Sequence, residues 1–274
     1  MAALPTTARA GRGPAGAPPD PAGGDADLAA VGSLLADRTR CRILLALTDG
    51  RALPASMLAE EAGVAASTAS SHLGRLTDAG LVTVVARGRY RYYRLAGPEV
   101  GAMIEAVGRL APAEPVRSLR QGTRAYQLRR ARTCYDHLAG RLGVALTDQL
   151  ESCGGLSPLA PAGTATDRPD GPVGHGSVNG AADQPGYRLE PAGTDLLNRI
   201  GAELEPGSWV RACVDWTEQR PHIAGVHGRA LLGRLLELAW VERSDRSRAV
   251  EVTDAGRAGL RDWIGLEIAL DRTG

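Results

Sequence analysis

The sequence predicts a mainly α-helical protein with small β-hairpins, an α+β chain in which a duplicated C-terminal domain follows an N-terminal one. Three observations indicate this class. Apolar residues recur at helical spacing from Leu28 onward. The stretch "ARGRYRYYRL" (86–95) alternates in the way that paired strands do. The motif Arg-x-Cys-x-Asp occurs twice, at 132–136 and 211–215. The whole chain has 274 residues, which suffice for two compact domains.

The composition restricts the kind of protein and its surroundings. The formal net charge is +1, so affinity for a polyanion must come from local clustering of the 32 basic residues, all of them arginine. Four cysteines are too few for a disulfide scaffold. Residues 1–27 are rich in Pro, Gly and Ala, which predicts a disordered tail rather than a signal peptide. Because no apolar run approaches the roughly 20 residues of a membrane span, we expect a cytoplasmic protein with reduced thiols and no membrane partner.

The N-terminal domain is expected at residues 28–110. Its first stretch, "LAAVGSLLADRTRCRILLAL", has apolar residues at helical spacing and is stopped by "TDG" at 48–50. A short helix is expected at about 55–62, ending at Gly63. The sequence thus predicts one long helix and a short one before the first tight turn.

A second short helix is predicted from about Ser67 to Ala79, with Ser67 as its N-cap and Gly80 as its left-handed stop. The apolar strand "LVTVV" and a hairpin that turns at Gly88 come next. Two short helices around a tight turn, followed by a hairpin, form a winged helix-turn-helix.

Three stretches of this domain resemble the ArsR-type winged-helix repressors: "LADRTRCRILLAL", "LAEEAGVAASTASSHLGRLTDAGLV" and "GRYRYYRL". The resemblance covers roughly residues 28–110. It implies a homodimeric repressor that binds a double-stranded DNA operator and leaves it when a small-molecule or metal effector binds. The turn departs from the family, with Ala65 and Ala66 where small polar residues are usual. The usual metal ligands of the family are also missing, since the helix at 55–62 has no Cys-x-Cys and "PEVGAMIEAVGRL" has no His or paired carboxylates.

The second short helix is the expected recognition helix. Ala69, Leu73 and Leu76 form its buried stripe, and Arg75 is expected to read guanine through O6 and N7. His72 either contacts a phosphate or packs inside, and the sequence leaves both open. The residues outside the stripe that are expected to face the major groove are Ser67, Thr68, Ser70, Ser71 and Arg75.

The arginine-rich hairpin is the expected wing. Alternation along the strand predicts that Arg87, Arg89 and Arg91 share one face and lie along phosphates or enter the minor groove. Tyr93 and Leu95 are expected to pack inward.

Residues 111–131 form a basic linker, rich in arginine with no acidic residue between Glu114 and Asp136. This linker is either a solvated helix or a source of extra phosphate contacts.

An internal repeat organises the C-terminal domain, expected at residues 132–270. "RTCYDHLAGRLGVAL" recurs as "RACVDWTEQRPHIAGVHGRAL", which has six inserted residues. We expect two degenerate winged-helix-like units, 132–201 and 211–265, each with the order helix, helix, hairpin, helix. The Pro-, Gly- and Asp-rich segment 157–186 is expected to be a disordered insertion in the first unit.

The repeat pairs Cys134 with Cys213 and His137 with His222. A three-residue spacing is expected to place Cys134 and His137 on one helix face. If a pseudo-twofold axis relates the units, two thiols and two imidazoles could converge, a set suited to zinc or another thiophilic metal. A purely structural role for these residues is the stronger alternative, because cysteine is often buried as a small hydrophobe.

A third possibility is an organic effector pocket lined by tryptophans, with Trp216 as its main candidate. An enzyme with Cys134 as nucleophile and His137 or His222 as base is a weaker alternative, because no oxyanion loop or substrate motif accompanies them. We therefore expect no enzyme and no cofactor for DNA binding. The tryptophans of the predicted pocket are Trp209, Trp216, Trp240 and Trp263.

Overall fold

The computed structural model describes residues 25–88, 90–112, 115, 118–159, 186–245 and 247–268. The N-terminal part combines helices with an antiparallel sheet of strand order β1-β3-β2. Its elements are α1 (Leu28–Leu35), α2 (Arg38–Leu47), β1 (Leu53–Pro54), α3 (Ala55–Ala62), α4 (Ala66–Asp78), β2 (Val82–Arg87), β3 (Tyr90–Leu95) and α5 (Pro98–Leu110).

The predicted long N-terminal helix is wrong, because the chain breaks between α1 and α2. Asp37 is extended and its carboxylate accepts from the amide of Arg40, which caps a new helix. The predicted helix-turn-helix geometry is confirmed: α3 ends at Gly63 and α4 is followed by Gly80, both in the left-handed region.

The predicted N-cap of α4 at Ser67 is wrong. The N-cap is Ala65, which makes no side-chain hydrogen bond to the helix. Ser67 already lies inside the first turn, so its hydroxyl is not in the capping position.

The C-terminal part starts with α6 and continues with two similar runs of elements. Each run contains a strand pair, a 13-residue helix, a second strand pair and a further helix. The elements are α6 (Leu119–Arg130), β4 (Arg132–Cys134), β5 (His137–Ala139), α7 (Gly140–Ser152), β6 (Leu156–Pro158), β7 (Gly186–Leu189), α8 (Pro191–Arg199), β8 (Trp209–Val214), β9 (Pro221–Ile223), α9 (Gly225–Glu237), β10 (Val241–Arg243), β11 (Val250–Val252) and α10 (Asp254–Ile264).

The predicted unit order of helix, helix, hairpin, helix is wrong in its first element, which is a strand pair in both copies. Tyr135 and Gly140 have φ angles of 57° and 76°, so no helix runs through residues 132–139. Strands β6, β7, β8 and β9 form one antiparallel sheet in which β7 of the first copy pairs with β8 of the second. The sheet therefore joins the two copies through backbone hydrogen bonds.

The α+β class is confirmed, and the buried apolar side chains form two clusters among the described residues. One lies in the N-terminal part around Ile43, Leu44 and Leu73. The other lies in the C-terminal part around Leu146 and Leu232. No helix within the described ranges is long and apolar enough to cross a bilayer.

Two predicted disordered segments fall mostly outside the described residues. Residues 1–24 of the predicted tail and 160–185 of the predicted insertion lie there. The insertion's first residues belong to β6, and its last, Gly186, begins β7.

Candidate functional site

The exposed face of α4 carries a row of hydroxyls and one guanidinium. Ala69, Leu73 and Leu76 are fully buried, which fixes the opposite face of the helix outward. The exposed polar side chains include all those that the sequence predicted: Ser67, Thr68, Ser70, Ser71 and Arg75.

His72 lies beside this face but is half-buried and directed at α2. Its Nδ1 is 3.6 Å from Oδ1 of Asp37, the residue that caps α2. Of the two alternatives for His72, the structure places the ring against the protein.

The wing is a hairpin in which Arg87 pairs with Tyr90 and Ala86 with Arg91. Directly paired residues point to the same face of a sheet, so Arg87 and Arg91 lie on opposite faces. The predicted single arginine face is therefore wrong, because alternation along one strand does not continue through a two-residue turn. The Arg87 guanidinium lies 5.7 Å from the centroid of Tyr92 on its own face.

Other wing predictions have different outcomes. Leu95 is buried and Tyr93 packs on the N-terminal core, as predicted. Arg87 and Arg91 are exposed, whereas Arg89 lies outside the described residues.

The second feature is the Cys–His cluster, formed by Cys134, His137, Cys213 and His222. Cys134 pairs with His137 across β4 and β5, and Cys213 pairs with His222 across β8 and β9. The predicted shared helix face is thus wrong, yet the side chains meet because directly opposed residues of a strand pair share a face. One ligand atom from each of the four residues lies within 4.8 Å of the others.

The two copies surround the cluster in matching ways. A Cβ atom at Gly143 of α7 would lie 3.7 Å from Cβ of His222, and one at Gly228 of α9 would lie 2.8 Å from Cβ of His137. Each helix thus begins against the histidine of the other copy. The two Nε2 atoms are 3.2 Å apart, and both rings are buried.

The charges inside the cluster are unequal. Hydrogen bonding from Cys134 holds the pKa of the Cys213 thiol well below its ordinary value, with His137 and His222 adding to the effect. The same bond to Cys213, together with burial, raises the pKa of Cys134. Burial opposes a charged His137, but hydrogen bonding to Asp136 and Cys213 raises its pKa above the ordinary value. The cluster therefore favours a thiolate at Cys213 beside a protonated thiol at Cys134.

A buried charge network lies next to the cluster and consists of Glu105, Arg132, Asp215 and Arg248. Arg132 contacts Asp215 at 2.9 Å and Glu105 at 3.8 Å, and Arg248 contacts Glu105 at 3.1 Å. Although burial opposes it, Arg132 holds the pKa of Asp215 well below its usual range. Because Glu105 belongs to α5 and Arg132 to β4, the network links the two parts of the chain.

Hydrogen bonds around Thr48 and Arg248 strengthen this link. The Tyr135 amide donates to the carbonyl of Thr48 at the end of α2, and the Thr133 amide donates to the carbonyl of Arg248 at 2.9 Å. Arg248 also donates to the Thr48 hydroxyl at 2.7 Å. Sequence reasoning missed this network, since no short-range pattern marks residues so far apart in the chain.

The four tryptophans have different surroundings. Trp240 and Trp263 pack on each other with centroids 6.2 Å apart, and Trp209 is exposed on β8. Trp216 covers the Arg132 guanidinium, whose carbon is 4.9 Å from the ring centroid. These contacts differ from one tryptophan to the next, and Trp216 is part of the surroundings of the charge network.

Comparison with known proteins gives consistent matches. Residues 35–85 match a family model described as a helix-turn-helix domain. The HTH-type transcriptional regulator YdfF of Bacillus subtilis is 34% identical over 247 residues, 88% of this chain and 99% of that protein. The HTH-type transcriptional regulator CmtR of Mycobacterium tuberculosis is 48% identical over 69 residues, 25% of this chain and 58% of its own length. The NMR structure of that cadmium sensor is 38% identical, covers 34% of this chain and 100% of its own, and has a TM-score of 0.26.

Two short helices around a glycine turn, an exposed polar face on the second and a hairpin after it define a winged helix-turn-helix DNA-binding protein. With about a third of its residues identical to YdfF over almost the whole of that protein, the chain belongs to the family of HTH-type transcriptional regulators.

Proposed function

We propose that the chain is a homodimeric repressor that holds its operator through α4 and the wing and releases it when an effector binds the C-terminal part. The observation that carries this proposal is the exposed polar face of α4 beside the exposed arginines of the wing. Hydroxyls and Arg75 would read base edges, while Arg87, Arg89 and Arg91 would contact phosphates. We divide the chain into a DNA-binding domain (28–110), a linker (111–131) and a regulatory domain (132–270), acting in the cytoplasm where the DNA is.

Exposed apolar side chains on α1 and α5 support the homodimer. Leu28 is 78% exposed and Leu110 is 88% exposed, and Val107 adds a partly exposed side chain on the same helix as Leu110. A second copy packed on α1 and α5 would cover this surface. A dimer also fits the paired half-sites that helix-turn-helix proteins bind.

For the linker, we propose a supporting role rather than DNA contact. Arg124 of α6 forms an ion pair with Glu61 of α3, so at least this arginine is engaged within the protein.

We infer that the chain is not an enzyme. Cys134, the candidate nucleophile, is only 4% exposed, so a substrate would have no access to its sulfur.

The test selects operators directly. The full chain is incubated with random-sequence duplexes, bound DNA is amplified over several rounds, and footprints are then taken on the selected sequence. We expect two inverted half-sites whose centres are about one helical turn apart. Selection of no sequence above random, or protection of one half-site only, would contradict a homodimeric repressor.

A further inference from the structure

We propose that Cys134, His137, Cys213 and His222 bind one thiophilic divalent cation of the zinc class in a four-coordinate site. Binding itself stands on the geometry of the cluster, whereas its use as the effector signal rests on the proposed function. The site lies at the junction of the two copies and takes no ligand from α3 or α5, the helices in which the resembled family usually carries its ligands.

The spacing of the ligand atoms fits one shared ion. Two imidazole nitrogens bound to the same tetrahedral zinc at 2.0–2.1 Å lie about 3.3 Å apart. The Nε2 atoms of His137 and His222 are 3.2 Å apart. With both sulfur atoms inside the same 4.8 Å limit, small side-chain shifts complete a tetrahedron.

The surroundings of His137 suit a metal ligand. Its Nδ1 lies 3.1 Å from Oδ1 of Asp136, so a neutral ring donates there and turns the lone pair of Nε2 toward the cluster. A carboxylate that orients a histidine in this way is the usual outer partner of a metal-binding imidazole. Arg229 fixes this carboxylate in turn, with Nε 2.8 Å from Oδ2 of Asp136.

The donor set selects the class of ion. Two sulfurs and two imidazole nitrogens favour zinc and other thiophilic ions, whereas magnesium and calcium require oxygen ligands. Each Cys–His pair is held by a strand pair with direct register, so the four donors are positioned before the ion arrives.

The ion would act on the DNA-binding part through Cys134. This residue lies between Thr133, whose amide binds the carbonyl of Arg248, and Tyr135, whose amide binds the carbonyl of Thr48. Drawing the Cys134 sulfur toward the other ligands would shift β4 relative to α5. An ion that favours the DNA-free state by a factor of about 5–150 would release the operator.

The experiment titrates the reduced full chain with Co²⁺ as a spectroscopic probe and then adds Zn²⁺ in competition. We expect one Co²⁺ per chain, the intense visible absorption of a tetrahedral thiolate site, and loss of this signal with Zn²⁺. The Cys134→Ser/Cys213→Ser variant should lose the signal. Its matched control, Cys41→Ser/Cys153→Ser, removes the other two cysteines, which lie outside the cluster, and should keep it.

Several outcomes would overturn the site. The first is a wild-type chain that binds no Co²⁺, and the second is a Cys134→Ser/Cys213→Ser variant that binds Co²⁺ like the wild type. The third is a chain that binds no metal and forms a Cys134–Cys213 disulfide on mild oxidation. If the double serine variant unfolds, His222→Gln provides a second test of the ligands. The number of Co²⁺ ions bound per wild-type chain tests the site without any variant. Binding to the selected operator is measured in parallel. Metal binding without operator binding would overturn the repressor and keep the site, whereas operator binding that the metal leaves unchanged would overturn its role as effector.

Discussion

The N-terminal and C-terminal parts of the chain use polar side chains in opposite ways. On α4 and the wing they are exposed and surround a core made of apolar side chains. In the C-terminal part, Arg132, Asp215, His137 and His222 are buried between the two copies. Thr48 and Glu105 are N-terminal residues that are also buried, and both contact Arg248 of the C-terminal part.

This difference indicates whether a substitution should lower DNA affinity or folding stability. An exposed arginine on α4 contributes little to folding and is available to DNA, so its loss should lower affinity alone. A buried charge is held only by its partners, so its loss should lower stability first. A substitution at the contact between the two parts should lower both DNA affinity and stability.

The largest expected effect is on Arg132. Replacing it with methionine leaves Asp215 and Glu105 buried without this partner, so we expect unfolding free energy to fall by about 3–5 kcal/mol. Denaturant unfolding of the full chain measures this loss. The control is Arg211→Met at the equivalent position of the second copy, which is exposed and should lower the unfolding free energy by clearly less than Arg132→Met does. An equal loss of unfolding free energy in both variants would contradict a special role of Arg132 in the buried charge network.

The next effect concerns the close approach of α9 to the first copy. A Cβ at Gly228 would lie 2.6 Å from the Ile223 carbonyl oxygen and 2.8 Å from Cβ of His137. We therefore expect Gly228→Ala to cost about 1–3 kcal/mol in thermal or chemical unfolding. Gly233 of the same helix has open space at its Cβ position, so Gly233→Ala should be neutral or slightly stabilising. A harmless Gly228→Ala would show that the copies can move apart at this point.

Arg75→Ala should affect DNA and not folding. We expect a loss of about 1–3 kcal/mol on the selected operator and little change on random duplex, since a guanidinium reads guanine through two hydrogen bonds. Binding isotherms on both DNAs, with an unfolding curve as control, measure these effects. An equal loss on both DNAs would assign Arg75 to a phosphate contact.

The smallest effect per residue is expected in the wing. Replacing Arg87, Arg89 and Arg91 with alanine should weaken binding to every sequence alike. The slope of log K against log salt should also flatten by about 0.9 for each phosphate that no longer binds an arginine. Since Arg87 and Arg91 lie on opposite faces, the single variants should differ, and the face toward DNA is the one whose substitution changes the slope. An unchanged slope in the triple variant would exclude the wing from the interface.

The sequence predicted α3, α4 and the hairpin of the N-terminal part because their signals are local. Helical periodicity, Gly63 and Gly80 determine α3 and α4 within a few residues of the predicted bounds. The convergence of the Cys–His cluster was one of the alternatives that the sequence left open, because the repeat places the two Cys–His pairs at matching positions.

The strand pairs and the charge network could not be predicted in the same way. Strands of three residues, such as β4 and β5, are too short for alternation to show, and a helical interpretation of Cys134 and His137 fitted equally well. Glu105, Arg132 and Arg248 meet only after both parts have folded, and a charged residue in sequence more often marks the surface. The wing error had a different cause, because one turn reverses which residues share a face.

The sheet that joins β7 to β8 has a consequence for how the Cys–His cluster responds to protein concentration. A single copy paired with a second identical chain would offer the same two thiols and two imidazoles, but only at concentrations where the two chains associate. Because both copies belong to one chain, each half meets the other at a fixed effective concentration, independent of how many molecules are present. A regulator present in a few molecules per cell would thus keep the complete set of side chains in every chain.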